Sequence, residues 1–289
     1  SNQIALPILS NHGELAWNRR LLAARGIEPP ASFEALQESL EKARSKGLWP
    51  IASAGANGQS LALFLSMLIE ARSGYQALSS LAAALQTLST AALDLEAGDS
   101  EVETVDYSAL LEAPPLKEAI SLLADWRKRS ILHPEWLRLS EDDLHTLMQY
   151  DVIVFAVMSL QEHRRVPPRT IERFDSGFFP SSLSIGRSRS LLAPNILALP
   201  LGRRGSRQEV QEQLKELVQN EKQQKLSAKT GLAPASATAP ARDKQASDAR
   251  LWIAASSRPA PSLDMAFPTD KAFREFARQV RERLASTLE

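Results

Sequence analysis

The four histidines are the side chains of this sequence best suited to acid–base or metal chemistry. They are His12, His133, His145 and His163, and none of them stands in an HExxH motif or at another spacing typical of metal ligands. His133 precedes a proline in a predicted turn, where it can make a turn hydrogen bond. His145 falls on a short predicted helix as a solvated or packed residue. We therefore expect no metal site and no catalytic histidine.

Other catalytic motifs are also missing. The chain contains no cysteine, which excludes disulfides, thiolate zinc sites and cysteine nucleophiles. It has no GxSxG elbow, no GxGxxG fingerprint and no GxxxxGK(S/T) phosphate loop. Gly202-Arg203-Arg204-Gly205 is better explained as a solvated basic turn, and Glu141-Asp142-Asp143 as an acidic helix start stabilised by the helix dipole. The sequence therefore predicts neither an enzyme nor a bound cofactor.

The composition is that of a globular protein with no charged field. The 289 residues are 44% apolar and 24% charged, with 34 basic and 34 acidic side chains. This length is sufficient for two lobes and a substantial core. A formal net charge of zero gives nothing to attract nucleic acid or an anionic membrane. No apolar run reaches the roughly 18 to 20 residues that a transmembrane helix needs.

Hydrophobic periodicity and breakers predict a helix-rich chain with a few strands. A strand, a turn and a second strand are expected over residues 4–18, and further strands over 48–54 and 151–158. The predicted helices cover residues 19–25, 32–46, 59–72, 76–95, 114–129, 143–150, 208–225, 246–253 and 271–288, with a short hairpin or strand near 98–105.

Three stretches, at residues 4–34, 114–136 and 225–235, carry a family resemblance. The first has Trp17-Asn18 followed by a short helix and a double proline; the second begins Pro-Pro-Leu-Lys-Glu-Ala; the third contains Thr230-Gly231 before Leu-Ala-Pro-Ala. In this order they resemble bacterial extracellular solute-binding proteins of family 1, the binding components of carbohydrate-type ABC importers. The resemblance implies a helix-rich α/β, two-lobe fold of the type II periplasmic-binding-protein kind, with an incomplete first lobe.

The resemblance also implies a domain layout. Residues 1–8 would be a hinge and first-lobe remnant, and residues 9–200 the second lobe. Residues 201–258 would return to the first lobe as helices, and residues 259–289 would place the C-terminal helix back on the second lobe. Most of the first lobe would then precede the opening stretch, and a signal or lipid-anchor segment would lie outside this chain.

The ligand-binding residues follow from the family position of the loops expected to face the cleft. These loops supply the candidates Asn11, His12, Ser53, Asn57, Gln59, Ser159, Gln161, Glu162 and Phe267. Planar aromatic faces also hold sugars, and the possible stacking residues are Trp49, Phe178, Trp252 and Phe267, whereas Trp17 is expected in the core. The family's usual Gly and Trp after the strand at 151–158 are absent, which leaves the identity of the ligand open.

The implied function is that of an exported binding component of an ABC importer. It would capture a small solute, a sugar, by closure of its lobes and deliver it to a membrane permease, as a monomer that is periplasmic or anchored at the cell surface. An alternative stays open because the crossing strand after Pro200 is also missing. In that alternative the chain is a binding-protein relative without a transport role that acts as a surface interaction or structural protein.

Overall fold

The computed structural model describes residues 5–44, 48–96, 105–186, 191–193, 197–200, 212, 215–236, 238–239 and 260–287. Its strands are β1 (Ala5–Ser10), β2 (Gly13–Asn18), β3 (Trp49–Ser53), β4 (Ile153–Ser159), β5 (Phe174–Gly177), β6 (Leu191–Leu192), β7 (Leu197–Pro200), β8 (Ala233–Pro234) and β9 (Ala260–Pro261). Its helices are α1 (Arg19–Ala23), α2 (Phe33–Arg44), α3 (Gly58–Glu96), α4 (Ser108–Leu111), α5 (Pro114–Lys128), α6 (Glu141–Gln149), α7 (Leu160–Arg165), α8 (Pro168–Ile171), α9 (Asn220–Thr230) and α10 (Asp270–Ser286).

The largest described sheet is organised around β4. Its strand order is β3-β4-β2-β5, with β4 parallel to β3 and antiparallel to β2. All seven residues of β4 are buried, which explains a continuous apolar, β-branched sequence in place of an alternating one. Register pairs Gly13 of β2 with Ser159 at the end of β4, so the start of β2 lies beside the point where α7 begins.

The strand that precedes β2 belongs to a different sheet. β1 pairs antiparallel with both β7 and β8 in a three-stranded sheet of order β7-β1-β8. β6 and β9 form a separate parallel pair. The chain therefore passes from the small sheet to the four-stranded sheet through two residues, Asn11 and His12, and both are buried.

The core is built on α3, which is apolar on nearly every face in its first half. The ring of Phe64 lies 6.4 Å from Trp126 of α5 and 6.1 Å from Trp136. α10 packs on α3 and α5, and its Phe276 ring lies 5.5 Å from Tyr107. Each such side chain contributes roughly 1.5 to 3 kcal/mol by leaving water. Among the described residues, no helix is both long enough and apolar enough to cross a membrane.

Most predicted elements are confirmed, with two corrections. The helices expected at 59–72 and 76–95 are confirmed as two helical segments of α3, which are separated by the non-helical backbone of Gly74 with φ of 81°. The single helix expected over 208–225 is interrupted at Gln219, which has extended backbone, and a separate helix begins at Asn220 and ends at Thr230. The segment after β4 was expected to be a loop and is the first turn of α7. The predictions for residues 98–104, 202–205 and 246–253 lie outside the described residues.

A short 3-10 helix (Leu263–Ala266) packs on α3 and buries one carboxyl group. The amide of Leu263 donates to Ser66 Oγ at 2.9 Å. Burial raises the pKa of Asp264 to about 6, although the hydroxyl of Ser262 donates to its carboxylate and offsets part of this rise. The ionised form of Asp264 is therefore disfavoured in the folded protein.

We predict that Asp264→Asn stabilises the protein at pH 8. The pKa of Asp264 is raised from its ordinary value of 3.8 to about 6 in the folded protein. Its protonated carboxyl therefore contributes fully to the free energy of unfolding below pH 3.8, and this contribution is lost as the pH rises through about 6. Asparagine keeps an acceptor for Ser262 and does not ionise, so the free energy of unfolding at pH 8 rises by about 2 kcal/mol. The gain is much smaller at pH 4.5.

Chemical denaturation at the two pH values measures this effect. Asp125→Asn, at an exposed position on α5, is the control for loss of a negative charge. Equal changes at pH 4.5 and pH 8 for Asp264→Asn would contradict the prediction.

Candidate functional site

A polar cavity of about 160 Å³ lies where five segments of the chain meet. Four of these segments are the passage between β1 and β2 and the starts of α3, α6 and α7, and Ala193 after β6 adds the fifth. The starts of α3 and α7 bring polar caps and first-turn side chains to one place, since the first turn of a helix needs acceptors for its free amides. The described lining residues are Asn11, Asn57, Gln59, Ser60, Leu63, Glu141, Ser159, Gln161, Glu162, Arg165 and Ala193.

Asn11 is the deepest polar residue of this cavity, with 1% of its surface exposed. Its Oδ1 accepts from the amides of His12 and Gln161, each at 3.1 Å. Its Nδ2 makes no hydrogen bond within the part of the chain that the structure describes. A buried amide donor that faces a cavity without a protein partner is a position where a ligand acceptor is favoured.

The opposite wall is formed by a capping box at the start of α7. Ser159 Oγ accepts from the amide of Glu162 at 3.2 Å, and the carboxylate of Glu162 accepts in return from the amide of Ser159. Ser60 of α3 also donates its hydroxyl to this carboxylate. Burial raises the pKa of Glu162, although the two serines oppose this shift. The wall is thus fixed by hydrogen bonds from α3 and from the start of α7.

The exposed edge of the cavity is closed by a charged pair. Glu141 Oε2 accepts from Arg165 Nη1 at 2.9 Å, and its Oε1 accepts from Asn57 Nδ2 at 3.1 Å. The side chain of Asn57 in turn accepts from the amide of Gln59 at 2.8 Å. Glu141 therefore connects α6 to the start of α3 and to the end of α7.

A buried ionisable cluster lies behind the cavity. His163 Nδ1 of α7 is 3.3 Å from Glu14 Oε1 of β2, and both side chains are fully buried. Burial opposes ionisation of Glu14, but the adjacent His163 lowers its pKa below the ordinary value. Burial lowers the pKa of His12, with the charge of Glu14 opposing this shift and that of Arg164 adding to it. The pair of Glu14 and His163 ties the start of β2 to α7.

Six of the nine predicted ligand-binding residues come together around this cavity: Asn11, Asn57, Gln59, Ser159, Gln161 and Glu162. The structure places them in one site, and their contact with a ligand stays a prediction.

Three predicted residues do not line the cavity. His12 and Ser53 are fully buried, at the passage into β2 and at the end of β3. Phe267 packs in an aromatic cluster, with its ring 5.0 Å from Phe276 and 5.5 Å from Phe273. Packing of these side chains into the core removes them from the site.

The predicted stacking residues that the structure describes are also absent from the lining of the cavity. Trp49 packs edge-on against His133 with ring centres 5.1 Å apart, and Phe178 is half-buried after β5. Trp252 lies outside the described residues. His133 makes the predicted turn hydrogen bond, since its Nδ1 accepts from the amide of Glu135 at 3.2 Å. None of the described lining residues is aromatic.

Sequence reasoning missed Ser60, Glu141 and Arg165. Ser60 opens a helix whose pattern indicates only core packing. Glu141 was assigned to the helix dipole, which is consistent with its place in the first turn of α6 but omits its contacts with Asn57 and Arg165. Helix α7 itself was not predicted, although the serine of Ser-Leu-Gln-Glu, followed three residues later by glutamate, is the signature of a capping box.

The site is built to hold a small, neutral, polar molecule. It offers an amide donor, carboxylate acceptors and hydroxyls, and its exposed charges already pair with each other. No group of three or more potential metal ligands occurs in the described ranges.

This architecture is the fold of solute-binding proteins, as solved structures show. The chain is similar to a probable secreted solute-binding lipoprotein from Streptomyces coelicolor (16% identity, TM-score 0.68, 98% of this chain and 70% of that chain). It is also similar to the bacterial solute receptor AcbH, which is described as preferring β-D-galactopyranose (14% identity, TM-score 0.67, 99% of this chain and 69% of that chain). A third similar structure is that of a sugar transporter from Bacillus licheniformis in complex with stachyose (15% identity, TM-score 0.58, 98% of this chain and 72% of that chain).

These identities establish the fold alone. They confirm the predicted helix-rich α/β fold, and the proteins that share it are binding proteins and not enzymes. No family model and no curated protein matches the chain.

We predict that Glu14→Gln lowers the free energy of unfolding at pH 7 by about 2 kcal/mol, because it removes the carboxylate that lies 3.3 Å from the buried imidazole of His163. A carboxyl with a lowered folded-state pKa stabilises the protein above its ordinary value of 4.5, and this contribution is lost as the pH falls through the lowered pKa. The difference from the unmodified chain therefore shrinks as the pH is lowered from 4.5 toward 3.

Denaturant titrations across this pH range test the prediction. Glu172→Gln, at an exposed position, is the matched control. A loss for Glu14→Gln that is small at pH 7, or that has the same size at every pH, would contradict the assignment of a stabilising pair.

Proposed function

We propose that this protein is the extracytoplasmic binding component of an ABC importer and that it captures a small sugar in the cavity beside Asn11. The observation that carries the proposal is the amide of Asn11, a donor at the deepest point of a polar cavity and without a partner in the described chain. The fold shared with solute-binding proteins supports the same function.

The arrangement of donors and acceptors favours a hydroxyl-rich ligand. A hydroxyl group both donates and accepts, so one sugar edge can accept from the amide of Asn11 and donate to the carboxyl of Glu162. A ligand of single charge is disfavoured because Arg165 and Glu141 neutralise each other at 2.9 Å. The volume of about 160 Å³ is below the roughly 300 Å³ of typical ligand pockets, which favours a monosaccharide-sized group.

Capture requires no covalent step. The cavity lies where the chain passes from the three-stranded sheet to the four-stranded sheet, so movement of one sheet relative to the other opens and closes it. Residues 9–200 form the second lobe in this proposal, apart from their two ends, residues 9–10 and 197–200, which pair in the three-stranded sheet. Residues 1–8 and 201–258 belong to the first lobe, and residues 259–289 return to the second. The protein acts outside the cytoplasm as a monomer and passes its solute to a membrane permease.

Thermal-shift measurement followed by calorimetry tests the proposal, with a panel of monosaccharides, oligosaccharides, amino acids and peptides. A ligand that binds only the folded state raises the melting temperature. We predict a rise for at least one sugar. Asn11→Asp keeps the Oδ1 acceptor for His12 and Gln161 but removes the Nδ2 donor, and it weakens binding of that sugar about tenfold or more.

Asn220→Asp on α9 is the matched control and leaves the affinity unchanged, because its side-chain oxygen only accepts from Ser236 and Thr238. No shift for any solute, with the protein folded, overturns the proposal and favours the alternative of a surface interaction or structural protein. Equal affinities of Asn11→Asp and the unmodified chain would place binding at another site.

A further inference from the structure

Helix α7 makes side-chain contacts away from the cavity as well as toward it. Gln161 Nε2 donates to the carbonyl of Thr230 at 2.9 Å. Arg164 Nη1 donates to the carbonyls of Gly231 and Leu232 at 2.8 and 3.1 Å. We propose that Arg164, assisted by Gln161, is a latch that fixes the position of the three-stranded sheet relative to the four-stranded sheet.

The receiving end of the latch is the C-terminus of α9. Gly231 ends this helix in the left-handed conformation with φ of 76°, and its amide donates to Ser227 at 3.0 Å. The last carbonyls of a helix lack partners within the helix and carry partial negative charge. Gln161 donates to the last helical carbonyl, that of Thr230, and the guanidinium group of Arg164 donates to the two carbonyls that follow, where its positive charge complements the negative end of the helix. The chemistry of Arg164 therefore fits this position specifically.

The α9 end belongs to the three-stranded sheet. β8 follows Gly231 after a single residue and pairs with β1, with Leu9 opposite Pro234. The amide of Ala235 donates to the carbonyl of Ile8 at 2.9 Å. The backbone that accepts from Arg164 is thus anchored to β1 and moves with it.

The α7 end belongs to the four-stranded sheet. α7 follows β4 directly and is held by the Ser159 cap, and the amide of Leu160 donates to the carbonyl of His12 at 2.9 Å. The buried pair of Glu14 and His163 adds a second attachment to β2. Arg164 therefore joins two elements that are each fixed to a different sheet.

The stems of both latch residues lie beside Gly231. A Cβ placed on this glycine would make ordinary van der Waals contact with them, at 3.6 Å from Gln161 Cγ and 4.0 Å from Arg164 Cβ. The stems of Gln161 and Arg164 therefore lie next to the end of α9. The passage at Asn11 and His12 is the covalent hinge, and the latch is a second, reversible link beside it.

The test measures the distance between the two sheets in the ligand-free protein. The chain has no cysteine, so Lys225→Cys on α9 and Gln149→Cys on α6 introduce spin labels at two exposed, unique positions. Double electron–electron resonance then gives the distribution of distances. Because no solute is added, failure of the latch and failure of the proposed solute capture are distinguishable.

We expect a narrow distribution for the labelled protein and a broader one, extended to longer distances, for Arg164→Met, which keeps the stem of the side chain but removes its donors. Arg164→Lys restores a cationic donor and recovers part of the narrow distribution, which a purely packing role would not produce. Arg169→Met, at an exposed position on α8, is the control and leaves the distribution unchanged.

An unchanged distribution for folded Arg164→Met overturns the latch. If Arg164→Met does not fold, Gln161→Leu removes the bond to Thr230 and is measured in the same way. A broader distribution supports the latch, and an unchanged distribution overturns it.

Discussion

The passage of the chain from the three-stranded sheet to the four-stranded sheet, at Asn11 and His12, imposes the constraint on which the rest of the structure depends. Buried backbone amides and carbonyls need partners, and this passage cannot take them from a single sheet. The side chain of Asn11 accepts from the amide of His12, the carbonyl of His12 accepts from Leu160 at 2.9 Å, and the carbonyl of Asn11 accepts from Ala193 at 3.2 Å. These bonds draw the end of β4 and the segment after β6 to one point, and the cavity forms there.

Helix α7 converts this local requirement into a connection across the molecule. The six residues of α7 form part of the cavity wall, provide the partner of the buried Glu14 and carry the donors that reach the end of α9. Stability and site geometry are therefore coupled in this helix.

Local sequence signals predicted much of this fold. The β-branched run of β4, the double proline at the start of α5 and the Thr-Gly end of α9 each act through neighbouring residues, so they can be recognised without the tertiary structure. Six of the nine residues that the family resemblance proposed for the site line one cavity, and their contact with a ligand stays a prediction. Successive residues of an extended segment face opposite sides, so Asn11 and His12 could not both line one cavity. The roles of Glu141 and Arg165 depend on contacts between distant elements, which no local pattern contains.

The most direct test of this account is hydrogen exchange, followed by mass spectrometry, with and without a sugar that raises the melting temperature. The account predicts that the sugar protects the amides of residues 11–13, 57–61 and 159–165, which surround the cavity, because a bound ligand suppresses local opening there. Protection confined to another region, such as the groove between α2 and α5 lined by Glu41, Lys42 and Arg129, would contradict it.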